Sequence, residues 1–365
     1  MSRLTTPAGL HEITPTWLTA ALKHGGSLSD ASVTSYSVEK VNEGKGFMNE
    51  IVRLKLDYDD EPGNLPPSII IKLPSTDPAL KALEEKERTC QREIRFYTDI
   101  APDAGLGTPY CYFGDIDPAT GHAILLLEDM GDARHGDSVA GCSLDDAENA
   151  LRQIAEFHAN WWNNPGLDGY SWLPLKDVET SLYQELYPKT WELLLGQVGS
   201  RMPKELRSVG DRLCPAIPAI KAQLSSPPLT MTHGDYRLDN CFLGTAANPR
   251  SLVVFDWQYC ARGRGTLDAA SFILEAYPPQ DRRREEMNLL KVYHSHLTKN
   301  RIYDYTFEDC LRDYKLSILD VFLFWVVVGG YCDFSGDRAS VFLHNTMQRF
   351  DAAIADLDCI ALLSD

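Results

Sequence analysis

Hydrophobic and polar positions divide the chain into an early part with the period of strands and a later part with the period of helices. Val33–Lys40 and Glu50–Tyr58 read as two strands, and Ser68–Pro74 is a β-branched run bounded by prolines, hence a buried third. Thr108–Asp115 and His122–Leu127 read as two more. A short helix is expected near Thr16–Lys23, with Thr14 before Pro15 as its start signal. A longer one is expected over Pro78–Ile100, where Cys90, Ile94 and Tyr97 fall at helical spacing and form an inward stripe. Glu93 lies beside that stripe, whereas Glu84, Glu85 and Glu87 fit a solvated run. The run His122–Leu127 stops abruptly at Glu128-Asp-Met-Gly131, which marks the end of the strand-rich part.

Beyond the polar, glycine-containing stretch 131–142 the pattern turns helical. Ser143 is a cap for a helix whose Leu151, Ile154, His158 and Trp161 share a stripe, so His158 reads as a core histidine. Further helices fit Ser181–Val198, Pro203–Leu213, Ala216–Leu224, Asp281–Lys299, Phe307–Val328 and Arg338–Leu363. The expected organisation is a leader helix in 1–30, a strand-rich lobe in 31–130 and a helical lobe in 131–365, which suits a length of 365 residues. The most apolar run, Val321–Val328, is too short to span a bilayer and is expected to be a buried helix, so no membrane partner is expected.

Charge narrows the function classes. A net charge of −17 argues against non-specific nucleic-acid binding, which needs a basic face. Nine cysteines, an odd number with no C-x-x-C, and no secretory leader pattern give the expectation of reduced thiols in a cytoplasm. His294 and His296 have no third candidate ligand nearby, so they make no metal site.

The candidate chemistry lies in Leu229–Leu243, which holds His233, Asp235 and Asn240 in the pattern H-x-D-x-x-x-x-N, and in the apolar strand Ser251–Trp257, which ends in Asp256. Phosphoryl transfer gives that spacing a mechanical reason. One Asp receives the acceptor hydroxyl, an Asn five residues on holds Mg²⁺, and an Asp after the next strand holds it from the other side. Short polar residues beside apolar runs also need such partners, because an unpaired buried carboxylate is expensive. Lys72 shares a face with Ile70 in the third strand, so it either snorkels or meets a carboxylate; the following helix offers Glu93. Gly44 and Gly46, between the first two strands, fit either a plain hairpin turn or a loop that lays N–H groups over phosphates. Thr266 or Asp268 is expected to brace a loop or start a helix. Arg262 and Arg264 fit a solvated turn better than a phosphate site, and Asp320 and Trp325 are candidates for an acceptor pocket.

On these residues the chain resembles the aminoglycoside phosphotransferase and choline kinase-like family, and most closely the branch that includes the ecdysteroid kinase-like proteins. The resemblance rests on Ser68–Pro74, Gln91–Tyr97, Ile124–Met130, His233–Asn240 and Val253–Trp257, in the family's order. It implies an α+β, protein-kinase-like bilobal fold with a small five-stranded antiparallel lobe, a larger helical lobe, and nucleotide in the cleft. It implies transfer of the γ-phosphoryl group of ATP, in some members GTP, to a small-molecule alcohol. Lys72 would then touch the α/β-phosphates, Glu93 would orient it, and the Glu128–Met130 backbone would hold the base. Asp235 would deprotonate the acceptor, and Asn240 and Asp256 would carry Mg²⁺. The glycine loop is not a specific part of the match, and Gly44 and Gly46 stay candidates for lying over the phosphates on their turn alone.

Departures from the protein-kinase pattern bear on the substrate. The loop reads His-Gly-Asp rather than His-Arg-Asp, Trp257-Gln258 follow Asp256 instead of Phe-Gly, and no Ala-Pro-Glu segment follows. These argue against a protein substrate. Two rival readings are an inactive kinase-fold binding module and a metal-dependent phosphoesterase. The second would need further histidine and carboxylate ligands that the scattered histidines do not supply.

Overall fold

The protein is described by a computed structural model covering residues 4–41, 49–60, 65–244 and 251–363. It divides into two compact units, Met1–Asp132 and Ala133–Asp365.

The first unit is built on one antiparallel sheet of β1 (Val33–Lys40), β2 (Asn49–Tyr58), β3 (Ser68–Pro74), β4 (Cys111–Ile116) and β5 (Ala123–Glu128), in the order β1-β2-β3-β5-β4. The expected five-stranded antiparallel sheet is thus present. Its fourth strand starts three residues later than the apolar pattern suggested, at Cys111 rather than Thr108. In β3, Ile69, Ile71 and Leu73 are buried while Ile70 and Lys72 face the other side, as a period of two requires. The buried face meets α1 (Pro15–His24), whose Leu18, Ala21 and Leu22 join Leu54, Ile69, Ile71 and Leu126 in one core. Thr14 caps α1 by accepting the Trp17 N–H.

The helix expected over Pro78–Ile100 is broken. α2 (Pro78–Glu87) ends at Arg88, whose φ is 55°, and α3 (Thr89–Arg95) runs on into a wider turn over Phe96–Ile100. The break has a local device. The Glu84 carboxylate accepts the Cys90 N–H at 3.0 Å and binds the Thr89 hydroxyl, capping α3 from within α2. Glu84 and Glu87 therefore do not belong to a solvated run: Glu87 is buried and Glu84 is committed to the cap. α3 packs on β4 and β5.

The second unit is mainly helical: α4 (Leu144–Asn160), α5 (Thr180–Val198), α6 (Lys204–Leu213), α7 (Ile217–Leu224), α8 (Thr266–Ala276), α9 (Pro279–Lys299), α10 (Phe307–Val327) and α11 (Asp337–Asp356). Between α7 and α8 the chain forms short strands. β7 (Thr230–Thr232) pairs with β10 (Ala261–Gly263), and β8 (Cys241–Leu243) lies between β6 (Arg134–His135) and β9 (Leu252–Val254). The turn expected around Arg262 is partly a strand, and Arg262 and Arg264 are tied to Asp168 and Asp313 rather than left to solvent. The segment Phe307–Tyr331 is long and apolar enough to cross a membrane, but 83% of its apolar window is buried within the protein. It serves as a core helix, as the run Val321–Val328 suggested.

Asp320 does not open onto an acceptor pocket. It lies 2.8 Å from Lys221, which also meets Glu179 at 3.1 Å, and Glu179 meets Lys176 at 3.1 Å. All four are buried, and the Tyr183 ring lies 4.2 Å from the Lys221 ammonium. Burial alone would push Lys221 down, but Asp320 and Glu179 hold it above its ordinary value. Lys221→Met strands Asp320 and should cost about 3–5 kcal/mol in urea unfolding, whereas Lys221→Met with Asp320→Leu should recover most of it. A single variant as stable as wild type would show that the network is dispensable.

Candidate active site

The central element of the second unit is the loop that joins β7 to β8. Its geometry is held from below by Asp268, in the first turn of α8. One oxygen of that carboxylate accepts the His233 N–H at 2.7 Å, and the other accepts the Gly234 N–H at 2.9 Å. His158 Nε2 stands 3.0 Å from the same carboxylate, and its Nδ1 lies 2.9 Å from the Tyr293 hydroxyl. Burial pushes the Asp268 carboxyl up, but its bonds to His158 and the loop N–H groups outweigh that and hold it below the usual carboxylate range. The loop-bracing role expected of Asp268 and the core role expected of His158 are thus one structure.

His233 points across to the second strand of the motif. Its Nε2–H donates to the Phe255 carbonyl at 2.9 Å, and its Nδ1 accepts the Asp235 N–H at 3.2 Å, which fixes one neutral tautomer. The Phe255 N–H in turn donates to the Asn240 carbonyl at 3.1 Å. Asn240 gives both amide hydrogens to Asp235, one to its backbone carbonyl at 2.8 Å and one to its carboxylate at 2.9 Å. That leaves Oδ1 as the oxygen Asn240 offers to a cation. Asp256 follows Phe255 with left-handed backbone at φ 67°, and its charge acts on Asp235. The structure therefore gathers Asp235, Asn240 and Asp256 at one place. Two oxygen-donor side chains beside a phosphate-bearing substrate are the kind of set that Mg²⁺ takes.

Asp235 is 7% exposed. Burial is the largest influence on its carboxyl and raises it; Asp256 raises it further, while Arg237 and the Asn240 hydrogen bond oppose the rise. A carboxyl lifted from its usual range is a better proton acceptor near neutral pH.

Two residues here were not singled out by the sequence. Arg237 sits within 3.2 Å of the Asp235 carboxylate and 3.1 Å of Asp239. Glu275, on α8, has one oxygen 3.8 Å from Arg237 and the other 3.0 Å from Trp325 Nε1, whose N–H it accepts. Arg237's place inside the motif was the available signal. Glu275 had a weaker one, a lone carboxylate in the apolar run Ala269–Ala276. Trp325, like Asp320, is committed to a buried partner.

In the first unit Lys72 and Glu93 form an ion pair at 2.6 Å, with side chains 10% and 4% exposed, so Lys72 meets a carboxylate rather than snorkelling. In the segment Glu128–Met130, the Glu128 N–H donates to the Tyr110 carbonyl at 2.8 Å and Met130 is buried. Between them Asp129 accepts Arg53 at 2.6 and 3.0 Å and the Ser68 hydroxyl at 2.6 Å. Gly44 and Gly46 lie outside the described residues. His294 bonds the Tyr305 carbonyl at 2.8 Å and His296 lies 3.2 Å from Glu156.

Gly234 has φ +84°, and a Cβ there would lie 2.2 Å from the Tyr259 carbonyl oxygen. The loop cannot carry the arginine of a His-Arg-Asp motif. Gly234→Ala should cost more than about 1–2 kcal/mol, the backbone strain alone, and should lower the melting temperature together with any turnover. A Gly234→Ala protein of wild-type stability would show that the loop has another conformation available.

The ecdysteroid kinase-like family model matches residues 43–161 and 174–303. No curated protein matches the chain significantly. Among solved structures, choline kinase from Cryptosporidium parvum is 13% identical, with a TM-score of 0.51 over 90% of this chain and 92% of that one. The GDP complex of an aminoglycoside 2′-phosphotransferase-IIIa is 14% identical, with a TM-score of 0.50 over 93% and 98%. At such identities the likeness is one of fold, and the fold is the protein-kinase-like one. With most of its length matched by one family model, the chain belongs to the ecdysteroid kinase-like family.

Proposed function

We propose that the protein is a small-molecule kinase that moves the γ-phosphoryl group of ATP to a hydroxyl of a small organic acceptor. The observation that carries this reading is the constellation of Asp235, Asn240 and Asp256, in which Asp235 and Asn240 are buried and Asp256 is partly exposed. Asn240 spends its amide hydrogens on Asp235, and the two loops are tied by the Phe255 N–H and the His233 ring. A binding module has no use for a carboxylate held this way beside a second one.

In the proposed mechanism Asp235 accepts the hydrogen bond of the acceptor hydroxyl and takes its proton as the new P–O bond forms. The bond to the β-phosphate oxygen breaks at the same time, releasing ADP. His233 and Asp268 keep the Asp235 backbone in register. Lys72, oriented by Glu93, contacts the α/β-phosphates, and the Glu128–Met130 backbone receives the base. Asn240 and Asp256 would hold Mg²⁺, which would supply charge neutralisation for the transferring group. The chain's own contribution is positioning and electrostatics, since this transfer asks for little covalent chemistry from the protein.

The test is ADP release from Mg-ATP across pooled small alcohols. Wild type should respond to at least one pool, and Asp235→Asn should lose roughly 10²-fold or more of that turnover while ATP still raises its melting temperature. Equal turnover by Asp235→Asn would overturn the role of that carboxylate. Asp256→Ala should lose the magnesium-dependent part of ATP stabilisation in the same thermal assay, and an unchanged magnesium dependence would remove Asp256 from the metal site.

A further inference from the structure

The side chain of Arg237 stands between three carboxylates. Its Nε is 3.2 Å from Asp235, and its terminal nitrogen is 3.1 Å from Asp239 and 3.8 Å from Glu275. The Phe342 ring lies beside it, 5.8 Å from the guanidinium carbon. A guanidinium with one partner can swivel about it, but partners in different directions fix the plane of the fork. Glu275 is the deepest of the three. It is 1% exposed and belongs to α8, every residue of which is buried. Its second oxygen is held by the Trp325 N–H, and its backbone carbonyl accepts from Arg349 at 2.6 Å. A carboxylate in so apolar a helix is costly, so its position calls for a reason. The groups acting on it are few. Burial pushes the Glu275 carboxyl up to about 7; Arg237 opposes the rise, Asp235 and Asp239 add to it, and Arg349 opposes it. Three of these four belong to the β7–β8 loop.

We infer that Glu275 is a positioning residue for phosphoryl transfer: it anchors the Arg237 guanidinium, and Arg237 in turn fixes where the Asp235 carboxylate stands. The inference rests on the kinase reading of Asp235, and it adds a second layer from α8 and α10 to a site otherwise built from two loops. Glu275 is 1% exposed and meets the loop at Arg237. It acts only through Arg237, so the two residues share one effect.

That shared effect is what a double-mutant cycle measures. Arg237→Met, Glu275→Gln and the double variant are compared in ADP release from Mg-ATP with the alcohol pool that wild type uses, and in thermal unfolding. Glu275→Gln keeps an oxygen for the Trp325 N–H and loses only the charge facing Arg237. It should lower kcat roughly tenfold and leave KM for ATP within about twofold. In the Arg237→Met background the same change should add no further loss. Wild-type kcat in Glu275→Gln, or losses that multiply in the double variant, would overturn the inference. Trp325→Phe, which removes the donor on Glu275, is the second route to the same readout and should also lower kcat at unchanged KM. A wild type that releases no ADP with any pool sinks the kinase reading itself. The Arg237–Glu275 link is then read on melting temperature, where coupled shifts sustain it and additive shifts overturn it.

Discussion

Asp268 is the group on which the arrangement of the β7–β8 loop depends. A buried carboxylate must find donors, and this one finds two adjacent backbone N–H groups and a histidine ring. The two N–H groups belong to His233 and Gly234, so holding them fixes the direction in which the chain enters Asp235. His233 then passes that order to Phe255, and Phe255 to Asn240. The loop residues are thus set by bonds that begin in α8 and α4 as well as by contacts among themselves, such as those of the Asn240 amide with Asp235.

The same logic works on a smaller scale in the first unit. Lys72 is placed by the alternation of β3, and Glu93 by α3, whose own start is fixed by the Glu84 carboxylate. The ion pair is as well placed as the helix break that precedes it. Asp129 does a similar service for the segment Glu128–Met130, since Arg53 of β2 and Ser68 of β3 both hold it.

How far the sequence foretold this differs from residue to residue. The five strands were legible because their apolar runs are short and separated by turn residues, and the third is β-branched. Asp235, Asn240 and Asp256 were legible as a set because their spacing is local, and Glu93 because it borders a periodic stripe. The break at Arg88 was not, because a non-glycine residue at positive φ leaves no compositional mark. The commitment of Asp320 to Lys221 and of Trp325 to Glu275 was not, because those partners lie 99 and 50 residues away, and periodicity carries no information at that range. Arg237 was in plain view within the motif, but its function depends on Glu275, which only the packing of α8 brings near.

The buried network of Lys176, Glu179, Lys221 and Asp320 contains two positive and two negative side chains, so its formal charge is zero. The chain's net charge of −17 is therefore carried entirely by the remaining residues. Dissolved ions reach the exposed groups among these and weaken their mutual repulsion, but they do not reach side chains that are 0–3% exposed. The interior ion pairs should thus be indifferent to ionic strength while the acidic exterior relaxes in salt, and moderate salt should make this protein harder to unfold rather than easier.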